Sequence, residues 1–472
     1  MSLVRWIEVP QRSAGRLETV IGPERLGRLA EAAEQFRGRL GDRNIWTVSS
    51  TAVGGGVAEM LHVLLGYAHD LLVPVRWGVI TGDAPFFALT KRVHNQIHGD
   101  QAGGPVGAAQ AGHYMKILAA NAVELLAEVR PGDLVLLHDP QTAGLAPLLA
   151  GAGASVAWRC HIGLDWQNEA TEAAWNFLRP YLESAQMHVF SRRQYVPDWI
   201  PDGAAVIIPP SIDPFSPKNE ELDATAVRTI LAQIGVLDGG APASPAFFER
   251  GDGTMGTITG RADVTAESLP GPDDPVVVQV SRWDRLKDMP GVMHGFATYA
   301  AAEPAGYLLL AGPAVAGVTD DPEGAGVFAE CLLQWRELPP AIRRRVLLVT
   351  LPLEDTDENG VMVNALQRHA AVIVQKSLAE GFGLTVAEGM WKARPVIGSA
   401  VGGIIDQIVE GTGILLPNPH DLNAFAAALH ELLTDLDAAH RMGAAAQAYV
   451  AEHYVGDLHL LRYAALFDAL MQ

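Results

Sequence analysis

The chain has 472 residues, 49% hydrophobic and 19% charged, so a largely disordered protein is excluded and two or three domains with buried cores are expected. Its formal net charge of −20 repels phosphate backbones and anionic lipid, which argues against nucleic acid or a membrane surface as a partner. The two cysteines, Cys160 and Cys331, cannot build a disulfide framework or a four-ligand zinc site, and we expect both to be buried. We find no apolar stretch of signal-peptide or membrane-span length, and we expect a cytoplasmic protein.

Six short apolar runs in the first half of the chain are separated by segments of helical period. In chain order they are NIWTVSS, VRWGVIT, DLVLLHD, SVAWRCHI, MHVFS and AAVIIPP. Strands that alternate with helices in this way are typical of a parallel, doubly wound α/β sheet. We therefore predict a Rossmann-like N-terminal domain over residues 1–215.

The alternation pauses after residue 215 and then resumes. The second set of runs is PVVVQVS, GYLLLAG, VLLVTLP, AVIVQKS, RPVIGSA and GILLP, which predicts a second Rossmann-like domain over residues 216–453. Two such domains facing each other enclose a cleft, and ligands bind at the carboxyl ends of such strands. The C-terminal helix, about 454–472, has an amphipathic stripe and is predicted to pack back on the first domain.

A stretch rich in Gly, Pro and Ser interrupts the second domain at about 237–275. Within it, AFFERGDGTMGTITGRADV has two β-prone runs around a Gly-Asp-Gly turn. We expect a surface hairpin inserted into the domain.

The loop after AVIVQKS combines a glycine turn with two carboxylates. Glu380 precedes the Gly-Phe-Gly turn at 381–383, and a helix is predicted to begin near Leu384 and to carry Glu388 in its second turn. Glycines let backbone N–H groups approach an anion at a helix N-terminus, and Glu388 can accept hydrogen bonds from two vicinal hydroxyls, such as those of a ribose. The alternative is a plain glycine turn with a carboxylate that complements the helix dipole.

Two cations follow the strand PVVVQVS in the loop SRWDRLKDMPG. Arg282 and Lys287 can neutralise a leaving pyrophosphate in a protein that is otherwise strongly acidic. A pair of solvated surface charges is the alternative.

Glu380 and Glu388 around GFGLTVAEGMWK, with Arg282 and Lys287, resemble the donor site of retaining nucleotide-sugar glycosyltransferases of the GT-B fold. From about Ile45 to the C-terminus, apart from the insertion, the chain is also similar to trehalose synthases of the glycosyltransferring type, which join a nucleotide-activated glucose to free glucose. That second resemblance is carried by the segments STAVGGGVAEML, TKRVHNQIHG, HDPQTAGL, WRCHIGLDW, IIPPSIDPFSPKN, VSRWDRLKD and VIVQKSLAEGFGLTVAEGMWK.

The resemblance implies donor-binding roles for Gly54, Gly55, Gly56, Arg282, Lys287, Gly381, Phe382, Gly383, Leu384, Thr385 and Glu388. Arg282 and Lys287 would hold the diphosphate, and Glu388 would hold the ribose. Glu380 would meet the donor sugar, and His161 would touch that sugar near its reacting carbon. His161, Arg282, Lys287 and Glu380 are thus the implied catalytic residues.

Acceptor binding is the least direct part of the resemblance. It implies that Asp139 in HDPQ binds acceptor hydroxyls. Weaker acceptor-side candidates are Lys91, His94 and Asn95, for which an ordinary amphipathic helix surface is the alternative, and Asp165. The family pattern has an Asp directly after RCHI, whereas this chain has Gly163 there, followed by Asp165 and Trp166. A sugar other than glucose, or a sugar-like cyclitol, therefore stays open as the acceptor.

The segment LEDTDENG offers a competing signal for a metal ion. Asp355 and Asp357 form the Asp-x-Asp pattern of diphosphate-metal sites. They also match the first positions of an EF-hand calcium loop, but its twelfth position is Leu366 rather than the Glu that binds calcium. Because the pair precedes a helical pattern, we interpret both carboxylates as helix caps and expect no metal or other cofactor.

The sequence therefore predicts a GT-B enzyme that transfers glucose, with retention, from a nucleoside-diphosphate glucose to a sugar acceptor, most simply glucose to give trehalose. A trehalose phosphorylase-type enzyme is the nearest alternative, and a catalytically silent sugar-nucleotide-binding protein is the alternative from another class. The donor base and the oligomeric state, including a homodimer, stay open. Hinges are expected near residues 215–218 and near Tyr454.

Overall fold

A computed structural model describes residues 2–53, 55–101, 103–239, 245–303, 305–315 and 322–472. The chain divides into two compact units: unit 1 comprises Met1–Ser211 and Tyr454–Gln472, and unit 2 comprises Ile212–His453. The sequence analysis placed the first boundary between the units a few residues later, after residue 215. It placed the second boundary after residue 453, where the structure also has it.

Unit 1 is built on a seven-stranded sheet in the order β1-β3-β2-β4-β5-β6-β7, in which only β1 runs antiparallel. Its strands are β1 (Val4–Ile7), β2 (Ile45–Ser49), β3 (Val75–Ile80), β4 (Leu134–His138), β5 (Ser155–Cys160), β6 (Met187–Phe190) and β7 (Ala205–Ile207). Its helices are α1 (Glu18–Leu40), α2 (Gly56–Asp70), α3 (Ala84–Ile97), α4 (Ala108–Glu128), α5 (Asp139–Thr142), α6 (Ala146–Gly151), α7 (Glu169–Leu182) and, from the C-terminus, α17 (Gly456–Leu470).

Unit 2 repeats this plan with a sheet in the order β10-β13-β12-β11-β14-β15-β16, in which only β10 runs antiparallel. Its strands are β8 (Phe247–Glu249), β9 (Met255–Thr257), β10 (Asp263–Thr265), β11 (Val276–Val280), β12 (Tyr307–Pro313), β13 (Val346–Leu351), β14 (Val372–Gln375), β15 (Val396–Ser399) and β16 (Ile414–Leu416). Its helices are α8 (Ala224–Ile234), α9 (Met289–Ala302), α10 (Pro322–Glu337), α11 (Pro340–Arg343), α12 (Thr356–His369), α13 (Leu384–Trp391), α14 (Ile404–Gln407), α15 (Leu422–Thr434) and α16 (Leu436–His453).

The central strands read as unbroken apolar runs because helices cover both faces of each sheet. Every residue of β2, β4 and β14 is buried. Helix α17 packs against α1 and α2 of unit 1 and contributes Leu466 and Phe467 to the apolar core there. The Arg25 guanidinium also donates two hydrogen bonds to the Asp457 carboxylate, at 2.9 and 2.8 Å, which fixes the start of α17 on α1.

The inserted stretch at 237–275 is only partly a surface hairpin. Strands β8 and β9 form the expected antiparallel pair, and residues 240–244 lie outside the described residues. The end of the insertion instead adds β10 to the edge of the main sheet, beside β13. Strands β1 (VRWI) and β10 (DVT) lack the continuous apolar run that marks the equally peripheral β7 and β16, so they were not recognised in the sequence.

Candidate functional site

The loops after β11 and β14 of unit 2 are joined by an ion pair between two residues that the sequence singled out. Lys287 lies at the end of a short 3₁₀ turn, and its Nζ is 2.6 Å from Oε2 of Glu380. The Ser377 hydroxyl donates a hydrogen bond to the same oxygen at 3.2 Å. Because β11 and β14 are parallel neighbours, their carboxyl ends bring these loops together across 93 positions of sequence.

A second, deeper ion pair holds the same two loops, and sequence reasoning missed it. Lys376 directly follows β14 and is fully buried, and its ammonium group contacts the Asp288 carboxylate. The Leu378 N–H donates to the Leu286 carbonyl oxygen at 2.8 Å, and the Gln279 amide donates to the Lys287 carbonyl oxygen at 2.7 Å. The sequence feature that could have indicated this ion pair is the polar Gln-Lys-Ser sequence at the end of the apolar run AVIVQKS.

The glycine turn after Glu380 ends in a residue that only glycine fits well. Gly383 has φ +84° and caps the start of α13, and a Cβ at this position would lie 3.1 Å from Cγ of Glu380. Leu384 and Thr385 open the helix, whose first N–H groups have no acceptor within the helix. An N-terminus of this kind attracts a phosphate oxygen.

The turn is hydrogen-bonded to the start and end of α14, and the first turn of α13 is bonded to the preceding strand β14. The Gly381 carbonyl accepts a hydrogen bond from the Gly403 N–H at 3.0 Å, and Phe382 is buried with its carbonyl bonded to the Gln407 amide. The Thr385 hydroxyl donates to Oε1 of Gln375 at 2.8 Å. These bonds fix the backbone that would face a donor phosphate.

Arg282 is the most exposed member of the predicted cation pair. Its side chain is 57% exposed, and its guanidinium contacts Asp284 at 3.1 Å. Arg285, on the same loop, lies near Glu323 and Glu330 on α10, at 3.6 and 3.7 Å. Arg285 is thus a third cation of the loop, and it is engaged away from the Lys287–Glu380 pair.

Glu388 lies in α13 and is nearly buried, with 5% of its surface exposed. Its Oε1 is 3.6 Å from Nζ of Lys218, a residue to which sequence reasoning assigned no role. Lys392, one turn further on, donates to the Glu388 carbonyl oxygen at 3.1 Å and to the Asn219 side chain at 2.9 Å. Burial lowers the pKa of Lys392 to about 7.

In unit 1 the predicted residues Asp139 and His161 meet at the carboxyl ends of β4 and β5. Oδ1 of Asp139 accepts a hydrogen bond from the His161 N–H at 2.8 Å. The His161 ring stacks on the His138 ring, with its Nε2 at 2.9 Å from Nδ1 of His138. The strand register that pairs β4 with β5 therefore delivers both residues to one place.

Lost hydration dominates the electrostatics of this cluster. It lowers the pKa of His161 well below its usual range, with further lowering by the Arg159 guanidinium, and it lowers that of His138 to about 3. Both imidazoles are therefore neutral at pH 7. The same loss of hydration raises the pKa of Asp139 to about 7, so its carboxyl titrates near neutrality.

Arg159 is a fully buried cation beneath this cluster, and sequence reasoning assigned it no role of its own. Its guanidinium donates to Nε2 of His459 at 2.9 Å, to the Tyr463 hydroxyl and to the Ile208 carbonyl at 3.1 Å. Nδ1 of His459 is in turn 2.9 Å from the Ser211 hydroxyl. Strand β5, which ends one residue before His161, is thus bonded through Arg159 to α17, and α17 is bonded through His459 to Ser211.

The first glycine turn of unit 1 precedes α2. Gly55 has φ +81°, caps the helix and meets no atom within 4 Å of a built Cβ, and Gly56 is the first helical residue. Gly54 lies outside the described residues. The geometry at Gly55 and Gly56 is that of an anion-accepting helix start.

The weaker acceptor-side candidates lie on two different elements. Lys91, His94 and Asn95 are on α3, which packs against the short helix that Asp139 opens, and Lys91 is exposed. Asp165 forms an ion pair with the buried Arg192 instead of facing an open surface.

The altered position after RCHI has a steric reason. A Cβ on Gly163 would lie 2.1 Å from the ring of Tyr195, so no side chain fits there. The Tyr195 ring is also held by the Arg192 guanidinium, whose carbon is 5.6 Å from the ring centre. The Gly163 loop is therefore packed around an aromatic ring.

Asp355 caps α12, as the sequence interpretation had it. It accepts hydrogen bonds from the N–H groups of Asp357 and Glu358, both at 3.1 Å, and pairs with Arg250 of the inserted hairpin at 2.6 Å. Oδ2 of Asp357 accepts from the Gly251 N–H at 3.0 Å. Only Asp355 is therefore a cap, whereas Asp357 lies in the first turn of α12, and both carboxylates hold the hairpin on the helix.

The described residues provide neither a cluster suited to a metal ion nor a helix suited to a membrane. They contain no group of three or more His, Cys, Asp or Glu placed to hold a metal ion. In the same residues, no helix combines the length and apolarity needed to cross a bilayer. Cys160 and Cys331 are both buried, as expected.

Comparison with known proteins places these observations in a family. Residues 47–197 match the family model "Trehalose synthase, N-terminal domain", and residues 358–449 match "Glycosyl transferases group 1". A trehalose synthase of Pyrococcus horikoshii is 33% identical, with 98% of this chain and 99% of that protein covered. A trehalose phosphorylase of Pleurotus pulmonarius is 26% identical over 86% of this chain and 54% of its own length.

The solved structures give the fold. A structure described as trehalose-6-phosphate from E. coli bound with UDP-2-fluoro glucose has a TM-score of 0.66 at 13% identity, covering 91% of this chain and 99% of its own. The sucrose-phosphate synthase of Thermosynechococcus elongatus has a TM-score of 0.61 at 20% identity, covering 91% of this chain and 99% of its own. The two α/β units are those of the GT-B fold.

Proposed function

Because the chain belongs to the trehalose synthase family and is a glycosyl-transferring enzyme acting around trehalose, we propose that its donor is a nucleoside-diphosphate glucose and that transfer to glucose proceeds with retention. The observation that carries the proposal is the Lys287–Glu380 pair at the start of α13, with Arg282 on the same loop as Lys287. A cation and a helix N-terminus at one place suit a diphosphate leaving group.

Unit 2 binds the donor in this proposal. Lys287 and Arg282 offset the charge that grows on the diphosphate as its bond to the anomeric carbon breaks. The N–H groups at the start of α13 donate hydrogen bonds to a phosphate oxygen, and Glu388 accepts hydrogen bonds from the ribose hydroxyls. Lys287 already compensates the charge of Glu380, so a sugar hydroxyl can bond to that carboxylate without burying an unpaired charge.

Unit 1 binds the acceptor and contacts the reacting end of the donor sugar. Asp139, as the carboxylate, accepts a hydrogen bond from an acceptor hydroxyl, and neutral His161 touches the donor sugar beside its reacting carbon. The acceptor oxygen forms its bond to the anomeric carbon on the face from which the diphosphate leaves, and its proton passes to a leaving phosphate oxygen. No protein nucleophile is needed, because the protein supplies position and field.

A matrix of donors against acceptors tests the proposal. UDP-, ADP- and GDP-glucose are each incubated with glucose, glucose 6-phosphate and a cyclitol such as inositol, and products are identified by mass and by the anomeric couplings in NMR. We expect one nucleotide sugar to give trehalose with glucose, with the α-configuration of the donor kept.

Other outcomes identify the alternatives. Glucose 1-phosphate formed from trehalose and inorganic phosphate, without nucleotide dependence, would indicate a phosphorylase. Trehalose formed from maltose alone would remove the nucleotide donor from the proposal. A cyclitol product would correct the acceptor, and nucleotide binding without turnover would indicate the silent binding protein.

A further inference from the structure

Residues 213–220, which begin unit 2, are bound tightly to the helices of the proposed donor site. Asn219 is buried, and its side chain accepts from Nζ of Lys392 at 2.9 Å and donates to the Asp213 carbonyl at 3.0 Å. Its own carbonyl accepts from the Trp391 indole at 3.0 Å and from the Arg368 guanidinium at 3.1 Å. The backbone next to Asn219 is therefore held in place on α12 and α13.

Helix α12 fixes the same segment from its other side. The Asn364 amide donates to the carbonyl oxygens of Pro217 and Glu220, at 3.0 and 2.9 Å. A Cβ on Gly360 would lie 3.4 Å from the Lys218 backbone nitrogen, so the segment passes close to the helix. The backbone is thus anchored at Pro217 and Asn219, the residues on either side of Lys218.

The anchored segment directs the Lys218 ammonium group to Glu388. The two side chains are 27% and 7% exposed, and their charged atoms are 3.6 Å apart. This distance is too long for a strong hydrogen bond but short enough for the charges to interact. Among the described residues, none donates a hydrogen bond to the Glu388 carboxylate, whereas Lys287 and Ser377 both bond to that of Glu380.

A nearly buried carboxylate with a compensating charge and unused acceptor positions is suited to a ligand that brings hydroxyl donors. We propose that Lys218 determines recognition of the donor ribose, by compensating the charge of Glu388 while leaving its oxygens to accept from the vicinal diol. The inference rests on the proposed nucleotide-sugar donor and assigns Lys218 a positioning role that acts through Glu388.

The test uses the full chain and calorimetry with two ligands: the nucleoside diphosphate that binds the wild-type protein, and its 2′,3′-dideoxy counterpart. For Lys218→Met we expect affinity for the ribose form to fall about tenfold, equivalent to one lost charge-supported interaction, and affinity for the dideoxy form to stay unchanged. Lys218→Arg should restore most of the loss. The matched control, Arg228→Met, removes an exposed cation of unit 2 that pairs with Asp273, and should change neither affinity.

Glu388→Gln provides a second test, which can be carried out even if Lys218→Met does not fold. It should abolish the preference for the diol, and adding Lys218→Met in that background should cause no further loss. Equal losses for both ligands in Lys218→Met, or no loss, would overturn the role of Lys218 while leaving the donor proposal intact. Failure of the wild-type protein to bind any nucleoside diphosphate would overturn both.

Discussion

Units 1 and 2 share one fold plan, yet they present opposite chemistry at the carboxyl ends of their strands. In unit 1 the groups lose their hydration, so His138 and His161 are neutral and Asp139 titrates near pH 7. In unit 2 the loops after β11 and β14 carry ion pairs, between Lys287 and Glu380 and between Lys376 and Asp288. The same sheet can therefore be equipped to orient neutral hydroxyls or to bind an anion, depending on which side chains follow the strands.

The largest expected effect comes from removing a cation of unit 2. In Lys287→Met and Arg282→Met, kcat should fall on the order of 10² or more, because each variant loses a charge that stabilises the departing diphosphate. Arg285→Met is the matched control on the same loop, since its guanidinium lies near Glu323 and Glu330. Steady-state kinetics measure all three, and near-normal turnover in both test variants would remove the donor-site assignment.

A similar loss of turnover without loss of nucleotide affinity is expected in unit 1. His161→Ala should lower kcat on the order of 10², because the donor sugar loses its contact beside the reacting carbon. Calorimetry should give an unchanged Kd for nucleoside diphosphate, since the proposal assigns those contacts to unit 2. If the substitution abolished nucleotide binding too, the division of roles between the units would be wrong.

A smaller effect is expected in the pH dependence. Because the pKa of Asp139 is raised to about 7, its carboxyl is protonated below that pH and loses its capacity as an anionic acceptor for the incoming hydroxyl. We expect kcat/KM for the acceptor to fall as the pH drops below about 7, and Asp139→Asn to give a low, flat profile over the same range. An acid limb that persists in Asp139→Asn would assign the titration to another group.

The smallest effect is expected from chelation. Fixed cations in unit 2 can do the work of a divalent ion, so exhaustive treatment with a chelator should change activity by less than about twofold. The control is re-addition of Mg²⁺ or Mn²⁺ to the treated enzyme. A loss that either ion reverses would indicate that Asp355 and Asp357 are metal ligands.

Much of the architecture could be read from the sequence because its signals are local. Each of the twelve apolar runs became a strand of one of the two main sheets, since strands buried on both faces need continuous apolar residues. The cap at Asp355 was also recognisable, because a cap is set by residues within one helical turn. Edge strands β1 and β10 were missed because VRWI and DVT are not part of a continuous apolar run, unlike the short edge strand β7.

The candidate site divides in the same way. Motif and spacing indicated Arg282, Lys287, Glu380 and Glu388, and the resemblance added Asp139 and His161. The partners of these residues were beyond sequence reasoning: Lys218 lies far from Glu388 in the chain, and Arg159 is bonded to His459 across 300 positions. Which polar groups meet is set by strand order and register, and these emerge only when the sheets assemble.

Local patterns of residues were enough to predict the two-unit α/β plan, the loops that follow its strands and the charged and glycine residues that these loops carry. The electrostatic state of each group depends instead on the folded chain. Lost hydration raises the pKa of Asp139 to about 7, whereas the predicted cation Lys287 forms an ion pair with Glu380. Both effects depend on burial and on the distance to a partner, which are properties of the packed chain. The tertiary structure likewise explains Gly163, whose place against the Tyr195 ring leaves no room for a side chain.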